Sequence, residues 1–177
     1  MRAKWLCLVA LTAAAVGCGQ GRAIFDIDVF SFLRAANADT LPYVGPLPPG
    51  VPDTIPSQAI NSLGIGSSSL VDTVRLSGAV DFVNRSGTGN VTFQVYFDTA
   101  RSAVYTGTPA FSVTGAVTPG VTTTSPFDIP DLPTALKPMF LASKVYVGIR
   151  ASAGGTIAGT AKLSALRARI VIQDKFF

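Results

Sequence analysis

The stretch "VDTVRLSGAVDFV" (71–83), followed by "NRSGTGN" (84–90) and "VTFQVYFD" (91–98), decides how the chain is read. Val74, Leu76, Val80 and Phe82 fall on one side of the first segment, with Thr73, Arg75, Ser77 and Asp81 opposite. Val91, Phe93, Val95 and Phe97 repeat the pattern in the second. A period of two is the signature of a strand with one covered face. Between them, glycine and asparagine supply hairpin-loop chemistry, so the two segments are expected to pair with each other.

Working outward from this pair, strands are expected in "PAFSVTGAV" (109–117), "GVTTTSPFDI" (120–129), "KVYVGIRAS" (144–152), "TIAGTAKL" (156–163) and "ALRARIVIQD" (165–174). The glycines of "SAGGT" (152–156) suggest a second hairpin. Only "LPTALKPMFLAS" (132–143) reads as helical, and Pro138 limits it to a turn or two. Many short β-branched segments separated by Gly and Pro predict an all-β antiparallel β-sandwich of about 7–9 short strands with at most one short helix.

Toward the N-terminus, residues 37–70 hold six of the twelve prolines and end in a Gly/Ser run. This composition favours extended backbone with little sheet, and the segment is read as a long Pro-rich surface crossing rather than a flexible stalk. Before it, "IFDIDVFSFLR" (24–34) alternates Phe25, Ile27 and Val29 with Asp26 and Asp28, a strand by periodicity. Phe30 and Phe32 then fall on the aspartate side, which suggests a bulge or a second covered face. Residues 24–177 are therefore expected to form one domain.

The first residues have a different character. Arg2 and Lys4 precede a continuous apolar run, Trp5 to Val16, which is a secretory signal layout. The run is much shorter than the roughly 20 residues a membrane-crossing helix needs. "AVGC", Ala15 to Cys18, resembles the lipobox of bacterial lipoproteins, with Ala15 where leucine is commonest. The resemblance implies removal of residues 1–17, acylation of Cys18, and a short spacer, 18–23, before the domain. Ordinary signal-peptidase cleavage after "AAA" or "AVG", or a retained buried thiol, are the alternatives. Gly19 after the cysteine, in place of an inner-membrane-retaining aspartate, implies the outer membrane of a diderm host.

Removing 1–17 takes away Cys7, Arg2 and Lys4, so 14 basic residues become 12 against 10 acidic ones. A net charge of +2 without a concentrated basic stripe does not suit nucleic acid. One remaining cysteine excludes an intramolecular disulfide.

The chain has no histidine and no glutamate, which removes His-based acid–base chemistry, Ser-His-Asp triads and His-containing zinc sites. No catalytic residue is expected. "YFDTA" (96–100) resembles the Asp-Thr-Gly/Ala loop of retropepsin-like proteases, but Asp-Thr recurs at Asp39, Asp53 and Asp72, and Asp98 reads as the start of a turn.

Asp26, Asp28, Asp128 and Asp131 are the candidate oxygen ligands for Ca2+ if their segments meet. The competing expectation is cross-strand pairing with Arg150, Arg167 or Arg169. Lys162, Arg167 and Arg169 are candidates for contact with an anionic surface or polysaccharide, or simply a solvated face that blocks edge pairing. The sequons at Asn84 and Asn90 carry no meaning after a bacterial signal. The terminal "KFF" departs from the alternation of outer-membrane barrels. Expected partners are thus a membrane, through acyl chains, and an envelope protein or polysaccharide.

Overall fold

The computed structural model describes residues 21–46, 53–61 and 69–174. The expected signal segment, Cys18, parts of the Pro-rich stretch and the terminal "KFF" lie outside the described residues. The elements, in chain order, are β1 (Gly21–Asp28), α1 (Val29–Ala35), β2 (Thr40–Gly45), β3 (Gln58–Asn61), β4 (Leu70–Ser86), β5 (Gly89–Asp98), β6 (Phe111–Val117), β7 (Thr122–Ile129), a 3-10 turn (Lys137–Leu141), β8 (Lys144–Gly154) and β9 (Ile157–Asp174).

The strands form two antiparallel sheets. One has the order β1-β9-β4-β7, with β2 also on β9; the other is β3-β8-β5-β6. From β3 onward each connection changes sheet except β5 to β6, the strand order of a double-sheet jelly roll. The fold is the expected all-β sandwich.

Its pairing is not the expected one. β4 and β5 lie in opposite sheets, and so do β8 and β9. Neither "NRSGTGN" nor "SAGGT" closes a hairpin; each is an arch from one sheet to the other. The two arches pack backbone against backbone: a Cβ at Gly87, which has φ +73°, would lie 1.8 Å from the Thr156 carbonyl oxygen, and one at Gly89 2.2 Å from that of Gly154. Buried Asn84 holds the first arch by donating to the Gly87 carbonyl at 2.6 Å and accepting from the Tyr43 hydroxyl at 3.2 Å. This sequon asparagine is 2% exposed and is thus closed to modification in the folded chain.

β9 is one strand where the sequence suggested two. Ala165 pairs with Ala79 and Leu163 with Val80, so Ser164 is an extra residue. This bulge shifts the phase, and both Leu163 and Leu166 reach the core. β4 runs along most of β9, while the other edge of β9 is covered by β1 over Arg167–Asp174 and by β2 over Ile157–Lys162.

Between β1 and β2, α1 replaces the bulge expected in "IFDIDVFSFLR". Asp28 ends the strand and caps the helix, its Oδ1 accepting from the Ser31 amide at 3.2 Å and its Oδ2 from the Ser31 hydroxyl at 2.5 Å. Val29 and Leu33, spaced i and i+4, are the buried face. The phase break at Phe30 and Phe32 is thus a change from period 2 to period 3.6.

The Pro-rich stretch contributes more sheet than its composition suggested. β2 lies on β9, β3 on β8, and Thr54 bridges to Arg150. Pro42 is tolerated because β2 is an edge strand. The helical expectation for 132–143 resolves to the 3-10 turn, with Pro at its start. Phe82, Phe93, Leu76, Ile149, Leu163 and Ile170 are no more than 1% exposed and fill the space between the sheets. Among the described residues no helix is long and apolar enough to cross a membrane.

Candidate functional site

Side chains that alternate away from this core make the outer face of the β1-β9-β4-β7 sheet. On β1 these include Asp26 and Asp28; on β9, Arg167 and Arg169; on β4, Arg75 and Ser77; on β7, Asp128. Register sets them in two rows: Asp28–Arg167–Ser77–Asp128 and Asp26–Arg169–Arg75. Within a strand, alternate residues are about 6.7 Å apart, and neighbouring strands about 4.8 Å. Asp26, Asp28, Arg75, Ser77, Arg167 and Arg169, together with backbone-adjacent Ile27 and Ala168, line an open recess of about 550 Å³.

Its groups differ in how they are satisfied. Arg75 holds Asp128 with both arms of its guanidinium, Nε to Oδ1 at 2.9 Å and NH2 to Oδ2 at 2.5 Å. That pairing draws the Asp128 carboxyl below its ordinary range and pushes Arg75 above its own. Asp28 is also lowered, chiefly by the Ser31 hydroxyl, with the Arg167 charge acting in the same direction. Both Asp28 oxygens are already engaged in the helix cap. Among the described residues, neither Arg167 nor Arg169 makes a hydrogen bond or an ion pair within 4.0 Å, and both side chains are exposed.

The four candidate metal ligands do not converge. Asp26 and Asp28 are on β1 and Asp128 is on β7, with β9 and β4 between them, a separation of about 14 Å at ordinary strand spacing. Asp131 leaves the sheet altogether. It accepts from the Val74 amide at 3.0 Å and from Lys137 Nζ at 2.5 Å, while Lys137 also donates to the Asp72 carbonyl at 2.7 Å. The described residues contain no group of three or more metal-ligating side chains. The three cations also separate. Arg167 and Arg169 share the recess, but Lys162 lies beyond the Ser164 bulge, in register with Asp81 and Thr40.

Arg75 and Ser77 were not singled out from the sequence, although they stand on the polar side of its clearest strand. Their importance comes from β9 beside them, a neighbour far away in the chain. Asp98 accepts from the Ala100 amide at 2.7 Å, the geometry of a local turn. Arg150 is on the opposite sheet. Its guanidinium sits 5.5 Å from the Tyr96 ring centre and 5.6 Å from that of Tyr105, and its Nε approaches Asp53 Oδ2 at 3.2 Å, an ion pair without hydrogen-bond alignment. This cluster fastens the 99–110 connection over β8.

No family model matches this chain, and no curated protein does. Among solved structures, it is similar to an infectious bursal disease virus Gx strain chain at 13% identity and TM-score 0.40, covering 88% of this chain and 34% of that one. Similarity to Eiger TNF from S. frugiperda has 4% identity and TM-score 0.35, over 59% of this chain and 60% of that one. A Bacillus endospore appendage chain shows 16% identity and TM-score 0.24, covering 89% and 88%. The chain spans about a third of the viral protein it matches.

Proposed function

We propose that the chain is a bacterial envelope lipoprotein whose single β-sandwich acts as a non-catalytic structural or interaction module, held at a membrane by acyl chains on Cys18. One observation carries this reading: at Gly21, three residues after the cysteine (21 − 18), the chain is already in β1, which pairs with β9 without interruption to Asp28. Acylation there would hold the sandwich directly against the membrane. The lack of histidine and glutamate supports a role without catalysis or a cofactor. Gly19 supports the outer membrane as the destination in a diderm host.

Mass spectrometry of the mature N-terminus tests the anchor. A diacylated Cys18 is the expected result, with Cys18→Ala releasing the protein or leaving the precursor uncleaved, and Cys7→Ala doing neither. An unmodified N-terminus at Val16 or Cys18 refutes it. Most of the protein in the inner-membrane fraction would refute the outer-membrane assignment.

A second reading, a lipid-anchored module for a small or polymeric carbohydrate-like ligand, is favoured by the recess and its two arginines, which make no hydrogen bond or ion pair within 4.0 Å among the described residues.

A further inference from the structure

We infer that the recess on the β1-β9-β4 face binds an acidic polysaccharide of moderate charge density, one carrying a single carboxylate per sugar among free hydroxyls. This deepens the ligand-binding reading and rests on it. Arg169 stands directly across from Arg75, and Arg167 stands two residues along β9. Like charges directly opposite on neighbouring strands destabilise a sheet. Arg75 is already held by Asp128, so an oxyanion seated between Arg167 and Arg169 would offset the like charge beside it and engage the donors that have no hydrogen bond among the described residues, and planar guanidinium forks suit carboxylates.

The flanks narrow the ligand further. Asp26 and Asp28 border the arginines on β1, and Asp128, bound to Arg75, borders them on β7. A dense polyanion such as nucleic acid or a heavily sulfated chain would be repelled by these carboxylates. Hydroxyl groups would instead donate to Asp26 and exchange hydrogen bonds with Ser77. Among the described residues no aromatic side chain lines the recess, so they offer no stacking platform for bases or neutral sugars. The volume, about 550 Å³, is that of an ordinary ligand site. Asp26 is eight residues from Cys18 (26 − 18), within about 30 Å of fully extended chain. With Cys18 acylated, the recess would lie within that distance of the membrane, in reach of a polymer at its surface.

The test uses the purified acylated chain and polygalacturonate, with the fully methyl-esterified polymer, free galacturonate and heparin as comparison probes, measured by calorimetry. The wild type is expected to bind polygalacturonate at least tenfold more tightly than each comparison probe. Arg167→Gln with Arg169→Gln should weaken binding at least tenfold without lowering the thermal midpoint. Arg22→Gln, which breaks only the distal pair with Asp72, should change binding less than twofold. Asp26→Asn should improve heparin binding relative to polygalacturonate, a gain that misfolding cannot produce.

Equal loss in Arg22→Gln, heparin binding tighter than polygalacturonate, or galacturonate binding as tight as its polymer overturns the inference. A wild-type chain that ignores polygalacturonate yet stays membrane-bound through Cys18 overturns it too, and leaves the anchored module standing. Binding that persists in a chain found unacylated refutes the anchor instead.

Discussion

Replacing Tyr105 with Phe removes one oxygen atom that does the work of a missing strand partner. β8 pairs with β3 only from Val147 to Lys144, so further along that edge Ile149 needs other partners. The Tyr105 hydroxyl accepts from the Ile149 amide at 3.0 Å and donates to the Ile55 carbonyl, while the Ile55 amide reaches the Ile149 carbonyl at 3.2 Å. Phe keeps the edge contact with Tyr96, at 5.5 Å between ring centres, and the Arg150 stack. It leaves the Ile149 amide without this acceptor, which costs about 1–3 kcal/mol where water is excluded. Because Tyr105 is only half-buried, the lower part of that range applies, about 1–2 kcal/mol. At about 2–4 °C per kcal/mol for a domain of this size, the midpoint should fall by about 2–8 °C.

The same hydroxyl has an alkaline signature. Burial pushes Tyr105 above its ordinary value of 10.0, so the unfolded chain loses this proton first. Its stabilisation is fully present below pH 10 and lost as pH rises through the higher folded value. Thermal melts followed by circular dichroism should therefore show a shallower alkaline decline in Tyr105→Phe, with the share of buried Tyr43 remaining. A midpoint within about 1 °C of wild type at pH 7, or an unchanged alkaline slope, would refute the reasoning.

Asp28→Ala should cost about 1 kcal/mol in urea titrations through loss of the α1 cap, while Asp28→Asn, which still caps, should cost much less; equal effects would contradict the capping role. Deleting residues 24–33 removes most of β1 together with Val29 and Leu33, so calorimetry should lose its cooperative transition. A fragment starting at Ser69 that melts cooperatively would refute the claim that β1 to β3 complete the sandwich. In acid, Asp28, Asp128 and Asp131 all have folded values below 3.8, Asp131 because its bonds to Lys137 and Val74 outweigh the opposing effect of burial. Their stabilisation is complete above pH 3.8 and lost as pH falls through the lower folded values. Carboxyl titration by NMR should place all three below their ordinary range, and Arg75→Gln should return Asp128 toward it.

Much of the fold is legible in local pattern. Val74, Leu76, Val80 and Phe82 alternate in sequence and are all buried, because a strand turns successive side chains to opposite faces whatever its partner. The α1 start is not read from the sequence: Asp28 followed by Val29 and Leu33 has helical spacing, but the alternation of 25–29 before it reads as a continuing strand. Pairing was not legible. Period-2 burial is the same for two strands side by side in one sheet and for two strands facing each other across a core, so β4 and β5 satisfy either arrangement. What decides between them is β9, which lies in register with β4 from far along the chain. The recess follows the same division. Sequence alone brings Asp26 near Asp28, and Arg167 near Arg169, because alternate residues share a strand face. Only the sheet brings those pairs together and adds Arg75 and Ser77, since hydrogen-bond register, not chain proximity, sets which side chains meet across strands.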